Sequence, residues 1–182
     1  IYGCLWLGCI IAPFVGGQIA DRIMPTQLFL SMAHLIGALF LFLTATNQDF
    51  SSMWTWMFIY SLFYAPTLAL TNSICFRNLD NPEEDFGKIR MWGTVGWIAV
   101  GWMVTFMSNT WQTQNWTGGS DLLMFAGVIS IIMGLFCFTL PKTPPIASRK
   151  NPLAFLEALS LLKDRNFLIF MLVSFVVTTE LQ

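Results

Sequence analysis

Apolar residues fall in six long runs, at 1–20, 28–46, 54–76, 91–107, 122–140 and 167–182, separated by polar connections. Each complete run is near the ~20 residues that a helix rising ~1.5 Å per residue needs to cross ~30 Å of hydrocarbon. The pattern predicts an all-α integral membrane protein. All nine Lys and Arg residues then fall on one side: Arg22 after the first run, Arg77, Lys88 and Arg90 after the third, and Lys142, Arg149, Lys150, Lys163 and Arg165 after the fifth. Connections 47–53 and 108–121 contain none. Basic loops stay on the cytoplasmic side, so the basic connections are cytoplasmic and the other two face outward.

Composition sharpens this picture. With 55% hydrophobic and 10% charged residues in 182, little chain remains outside the crossings. No basic patch with interleaved aromatics points to nucleic acid. Cys4, Cys9, Cys75 and Cys137 lie in or at the ends of apolar runs without metal-ligand spacing, and read as small packing residues. No catalytic triad, phosphate-binding Gly-rich loop or carboxylate pair is present, so neither an enzyme nor a bound cofactor is expected. The runs at both ends begin or stop within hydrocarbon, which predicts an excerpt of a larger protein.

Local chemistry places the fourth helix earlier than its apolar run. In Asn81-Pro82-Glu83-Glu84, Asn is a good cap, Pro suits the first helical position, and two acids complement the positive dipole end. A start near Pro82 carries Arg90 about 12 Å along the helix, toward the membrane interior. Arg90, Thr94, Trp97 and Gly101 then share one helical face. A rigid donor fork, a hydroxyl and an indole can together hold a flat polar ligand. The alternative is that Arg90 snorkels to lipid phosphates while Trp97 packs on a neighbour. On the third helix Tyr60, Tyr64, Thr67 and Thr71 share a face that either lines an aqueous cavity or joins helices by hydrogen bonds. Gly16, Gly17, Gly93 and Gly96 read as close-packing positions.

Three further features stand out. His34, the lone histidine, sits mid-helix, where a neutral packing role competes with a proton relay. Glu180 is a carboxylate well inside the last run, a candidate for proton coupling. Between runs five and six, Asn151-Pro152 followed by Leu153, Leu156, Leu159 and Leu162 predicts a short amphipathic helix at the cytoplasmic interface. Asn115-Trp116-Thr117 matches a glycosylation sequon in an outward loop, a pattern frequent by chance.

Gly17-Gln18-Ile19-Ala20-Asp21-Arg22 resembles the start of the loop motif after the second helix of the major facilitator superfamily. There the acid and base help latch the transporter's two halves in the outward-facing state, which implies a gating role for Gly17, Asp21 and Arg22. Met24 and Gln27 stand where that motif usually has a glycine and a basic residue. The stretch Phe86-Gly87-Lys88-Ile89-Arg90-Met91-Trp92-Gly93-Thr94-Val95-Gly96-Trp97 resembles the fifth-helix signature of bacterial nucleoside:proton symporters.

This resemblance implies a partial major-facilitator fold, comprising helices two to six and the start of helix seven. The N-terminal bundle would cover 1–140, a cytoplasmic linker with its amphipathic helix 141–166, and the start of the C-terminal bundle 167–182. It implies that Arg90, Thr94 and Trp97 contact a nucleoside, with Gln182 as a further ligand. Trp97 stands where a phenylalanine is expected and keeps the capacity to stack. The expected function is proton-coupled nucleoside uptake by alternating access across a bacterial inner membrane. The partners are then a nucleoside, protons and the lipid bilayer. A related sugar or aromatic-acid permease is the nearest rival, and a non-transporting membrane receptor or scaffold is the rival from another class.

Overall fold

The computed structural model describes residues 2–111, 119–145 and 161–180. The described residues fold as helices: α1 (Tyr2–Arg22), α2 (Thr26–Thr46), α3 (Phe50–Asn78), α4 (Pro82–Trp111), α5 (Gly119–Cys137) and, after a 3₁₀ turn at Leu161–Lys163, α6 (Arg165–Glu180). The chain divides into two compact units, Ile1–Pro145 and Ile146–Gln182. Residues 141–145, expected to begin the linker, lie within the first unit. The amphipathic segment from Asn151, the Asn115 sequon and Gln182 lie outside the described residues.

Helix ends follow the capping chemistry. The Asp49 carboxylate accepts the Ser52 backbone N–H at 2.9 Å and starts α3, while the Leu79 N–H returns to the Cys75 carbonyl at 3.1 Å and closes it. The α4 helix begins at Pro82, with Glu83, Glu84 and Asp85 in its first turn against the positive dipole end. The Asn81 backbone carbonyl accepts from Glu84 and Asp85. In the second unit Asp164 plays the same part, accepting the Asn166 N–H at 2.8 Å at the start of α6.

Helices α2 and α5 are long and apolar enough to cross a membrane, with mean hydropathies of 2.1 and 2.0. Polar residues on α3 and charges at the head of α4 lower the apolar character of those longer helices. In hydrocarbon, apolar side chains gain little by leaving lipid, so helix contacts depend on small residues and interhelical hydrogen bonds. The α2–α5 seam is built that way. Ser31 Oγ donates to the Gly134 carbonyl at 2.7 Å, Ser130 Oγ to the His34 carbonyl at 2.8 Å, and Ser120 Oγ to the Ala45 carbonyl at 2.7 Å. A Cβ on Gly127 would press on the Phe42 ring at 2.8 Å.

The α1–α3 seam uses the same chemistry with the helices parallel. Ser61 Oγ donates to the Cys4 carbonyl at 2.9 Å beside Gly8, and Gly16 lies against the ring of Pro66. Gly17, its neighbour in sequence, would meet nothing within 4 Å if given a Cβ. Cys4 and Cys137 are fully buried packing residues, and all four cysteines are free thiols. Ala20, Leu30, Leu70, Ile74 and Cys137 form an apolar cluster where α1, α2, α3 and α5 converge.

Below that cluster the chain leaving α5 crosses the ends of α2 and α3 as a strap. The Thr26 N–H donates to the Thr143 carbonyl at 3.1 Å, and the Thr143 N–H donates to Gln27 Oε1 at 2.9 Å. Asn78 Nδ2 donates to Thr143 Oγ1 at 3.1 Å, and Arg77 Nη2 to the Pro144 carbonyl at 2.8 Å. Thr143 is buried.

Candidate functional site

The α4 helix is the least covered element of the first unit. Every residue from Gly87 to Met103 is exposed, and Trp97 reaches 85%. Arg90, Thr94, Trp97 and Gly101 stand along one flank of this helix, as their spacing requires. Among the described residues no acid pairs with Arg90; Lys88, two positions earlier, is paired with Asp85 at 2.7 Å. The stripe therefore offers an unneutralised guanidinium, a hydroxyl one turn on and an open indole face. A planar ligand with hydrogen-bonding edges matches that set.

Among the described residues, a Cβ on Gly93 or Gly96, expected to allow close helix packing, would meet nothing within 4 Å. The reason is the uncovered surface of α4 along this stretch.

Inside the first unit, residues of α2, α3, α4 and α5 line an open cavity of about 380 Å³. The Tyr60 and Tyr64 rings stack at 5.5 Å on its wall, and the His34 ring meets Tyr64 edge-on at 6.5 Å. Ser130, whose hydroxyl is committed to the His34 carbonyl, also lines it. Thr67 and Thr71 do something else: each hydroxyl donates back to its own helix, to the Tyr64 and Thr67 carbonyls at 2.6 Å. The polar face of α3 thus divides into a cavity-lining aromatic half and a self-satisfied threonine half.

The cavity wall and the Arg90 stripe adjoin on α4. Val100 and Val104 supply the cavity wall. At ~100° per residue, Trp97 lies about 60° and Arg90 about 80° round the helix from Val100, but only about 20° and 40° from Val104. A second hollow of about 300 Å³, between α1, α2 and α3 and lined by Gly16, Phe29, Phe63 and Pro66, is wholly apolar in its side chains.

A family model described as Nucleoside H+ symporter matches residues 1–182. The chain belongs to the nucleoside H+ symporter family. It is 36% identical over 177 residues to the putative nucleoside transporter YegT of Escherichia coli, covering 96% of this chain and 42% of that protein. It is 30% identical over 194 residues to the nucleoside permease NupG of the same organism, covering 100% of this chain and 44% of that one. A crystal structure of nucleoside transporter NupG superposes with a TM-score of 0.74 over 100% of this chain and 45% of that chain, at 30% identity. The chain thus spans less than half the length of these relatives, and its helical architecture is that of a major-facilitator nucleoside transporter.

Within this symporter-family chain, Gly17 and Arg22 of the loop motif lie on α1, Arg22 exposed in its last turn, where a cation suits the negative dipole end. Asp21 is helical, with its side chain outside the described residues. Glu180 ends α6, its side chain likewise outside them. Two features escaped the sequence reading. Gln27, noted only as a departure from the motif, binds the strap through Thr143. Phe76 and Phe86 stack across the α3–α4 turn at 4.4 Å. The first joins residues 116 positions apart, beyond any local pattern; the second was visible as paired aromatics flanking a cap.

Proposed function

We propose that the chain is part of a proton-coupled nucleoside transporter of the bacterial inner membrane, working by alternating access. The observation that carries this reading is the Arg90–Thr94–Trp97 stripe on α4, exposed and unpaired among the described residues, in a chain that the nucleoside symporter family matches from end to end. Arg90 donates to polar edges of the nucleoside, Thr94 adds a hydroxyl partner, and Trp97 stacks on the base. Gln182 supplies a further polar contact, and Glu180 is the candidate for carrying a proton. Tyr60 and Tyr64 add hydroxyls to the neighbouring cavity. Two bundles rocking about a site near the bilayer midplane expose it to each side in turn, and proton re-entry drives accumulation. Gly17, Asp21 and Arg22 latch the outward-facing state.

The test is uptake of labelled uridine and adenosine by cells lacking their own nucleoside transporters, with a protonophore control and an Arg90→Ala variant. Protonophore-sensitive uptake, abolished in a normally expressed Arg90→Ala protein, supports the reading. Absence of uptake by well-expressed wild-type protein overturns it and moves sugar and aromatic-acid permeases forward. Uptake that Arg90→Ala leaves intact removes Arg90 from the site.

A further inference from the structure

The rotation of α4 decides where the Arg90 stripe points, yet the stretch carrying the stripe is exposed on all sides among the described residues. Among the described residues, packing along residues 87–103 therefore contributes little to that rotation. Immediately before this stretch stands Phe86, whose ring stacks on Phe76 of α3 with centroids 4.4 Å apart and planes inclined by 25°. It is the tightest ring pair among the described residues. Phe86 precedes Arg90 by four residues, one helical turn, so the two side chains share a face and a twist at one is carried rigidly to the other.

Phe76 is itself held. The next residue, Arg77, donates to the Pro144 carbonyl, and Asn78 donates both to the Ile74 carbonyl at 2.8 Å and to Thr143 Oγ1. The end of α3 is thus tied to the strap after α5, and Phe86 stacks on a ring carried by that tied end. The connection between the helices is only 79–81, so little else intervenes between the held end of α3 and the first turn of α4.

We propose that Phe86 is a positioning residue for substrate binding: its stack on Phe76 sets the rotation of α4 and so aims Arg90, Thr94 and Trp97. This rests on the reading of Arg90 as a nucleoside ligand. A ring pair that only stabilised the fold would change how much transporter reaches the membrane. A ring pair that aims the stripe changes how tightly each transporter binds.

The experiment is concentration-dependent uridine uptake by the intact transporter, normalised to its amount in the membrane, for Phe86→Ala, Phe76→Ala, the double variant, Phe86→Tyr and Arg90→Lys. The expected result is a KM raised about three- to tenfold in both alanine variants. Turnover per transporter should be unchanged, the double variant no worse than either single one, and Phe86→Tyr near wild type. Reduced membrane amount with unchanged KM overturns the proposal while leaving the site intact, provided that Arg90→Lys raises KM. Additive single effects overturn Phe76 as the partner. An unchanged KM in Arg90→Lys and in Phe86→Ala overturns both the proposal and the reading beneath it.

Discussion

Ser31 on α2 and Gly134 on α5 meet where no side chain separates the two backbones: the fully buried Ser31 hydroxyl donates to the Gly134 carbonyl at 2.7 Å. A Cβ at Gly134 would lie 2.8 Å from Leu35 Cγ and 3.2 Å from the Ser31 carbonyl oxygen. The side chain of Leu35 can yield, whereas the backbone oxygen cannot without parting the helices. Gly134→Ala is expected to destabilise the first unit by about 1–3 kcal/mol through overpacking. The check is thermal unfolding of the purified transporter in detergent, with Gly93→Ala as the comparison, since a Cβ there meets open space.

Trp97 tests the stacking half of the site. Trp97→Phe keeps an aromatic face and should retain uridine uptake, whereas Trp97→Ala should raise KM about tenfold, the order expected for losing one base–aromatic stack. Equal KM values for the two variants would remove base stacking from the site.

The strap predicts a stability effect far from any substrate. Gln27→Ala strips the acceptor from the Thr143 N–H at a buried residue, which is expected to cost about 1–3 kcal/mol. Gln27→Glu keeps an acceptor oxygen and should recover most of the loss. Thermal unfolding of the three proteins side by side decides this, and equal melting of wild type and Gln27→Ala would contradict it.

Asp49 supplies a pH dependence with a definite sign. The Ser52 backbone N–H holds its carboxylate below the usual value of 3.8, and the group is fully exposed at the head of α3. A folded-state pKa lowered in this way gives a stabilisation that is complete above the unfolded value and fades as pH falls through the folded one. Asp49→Asn, which can still cap, is expected to flatten the slope of melting temperature against pH below about 4 while leaving neutral-pH stability close to wild type. Melting curves between pH 3 and 7 read this directly.

What could be read from the sequence was local. The start of α4 at Pro82 and the shared face of Arg90, Thr94 and Trp97 follow from caps and periodicity within one helix. Gly16 and Gly17 show the limit. They are the same residue side by side, yet one lies against Pro66 and the other meets nothing, because contact depends on which face α3 occupies. The same limit hid that the Arg90 stripe adjoins the cavity wall at Val100 and Val104. Thr67 and Thr71 shared a face with Tyr60 and Tyr64 on paper, but their hydroxyls had a nearer partner in the carbonyl three or four residues back.

The strap also shortens a leash. Chain leaving α5 at Cys137 would be free to swing from that point if 138–144 were slack, yet Arg77 and Asn78 pin it as far as Pro144. At ~3.3 Å per extended residue, that withholds about 23 Å of reach from whatever follows. Lengthening the chain between Leu140 and Thr143 would therefore only enlarge a loop closed at both ends within the first unit.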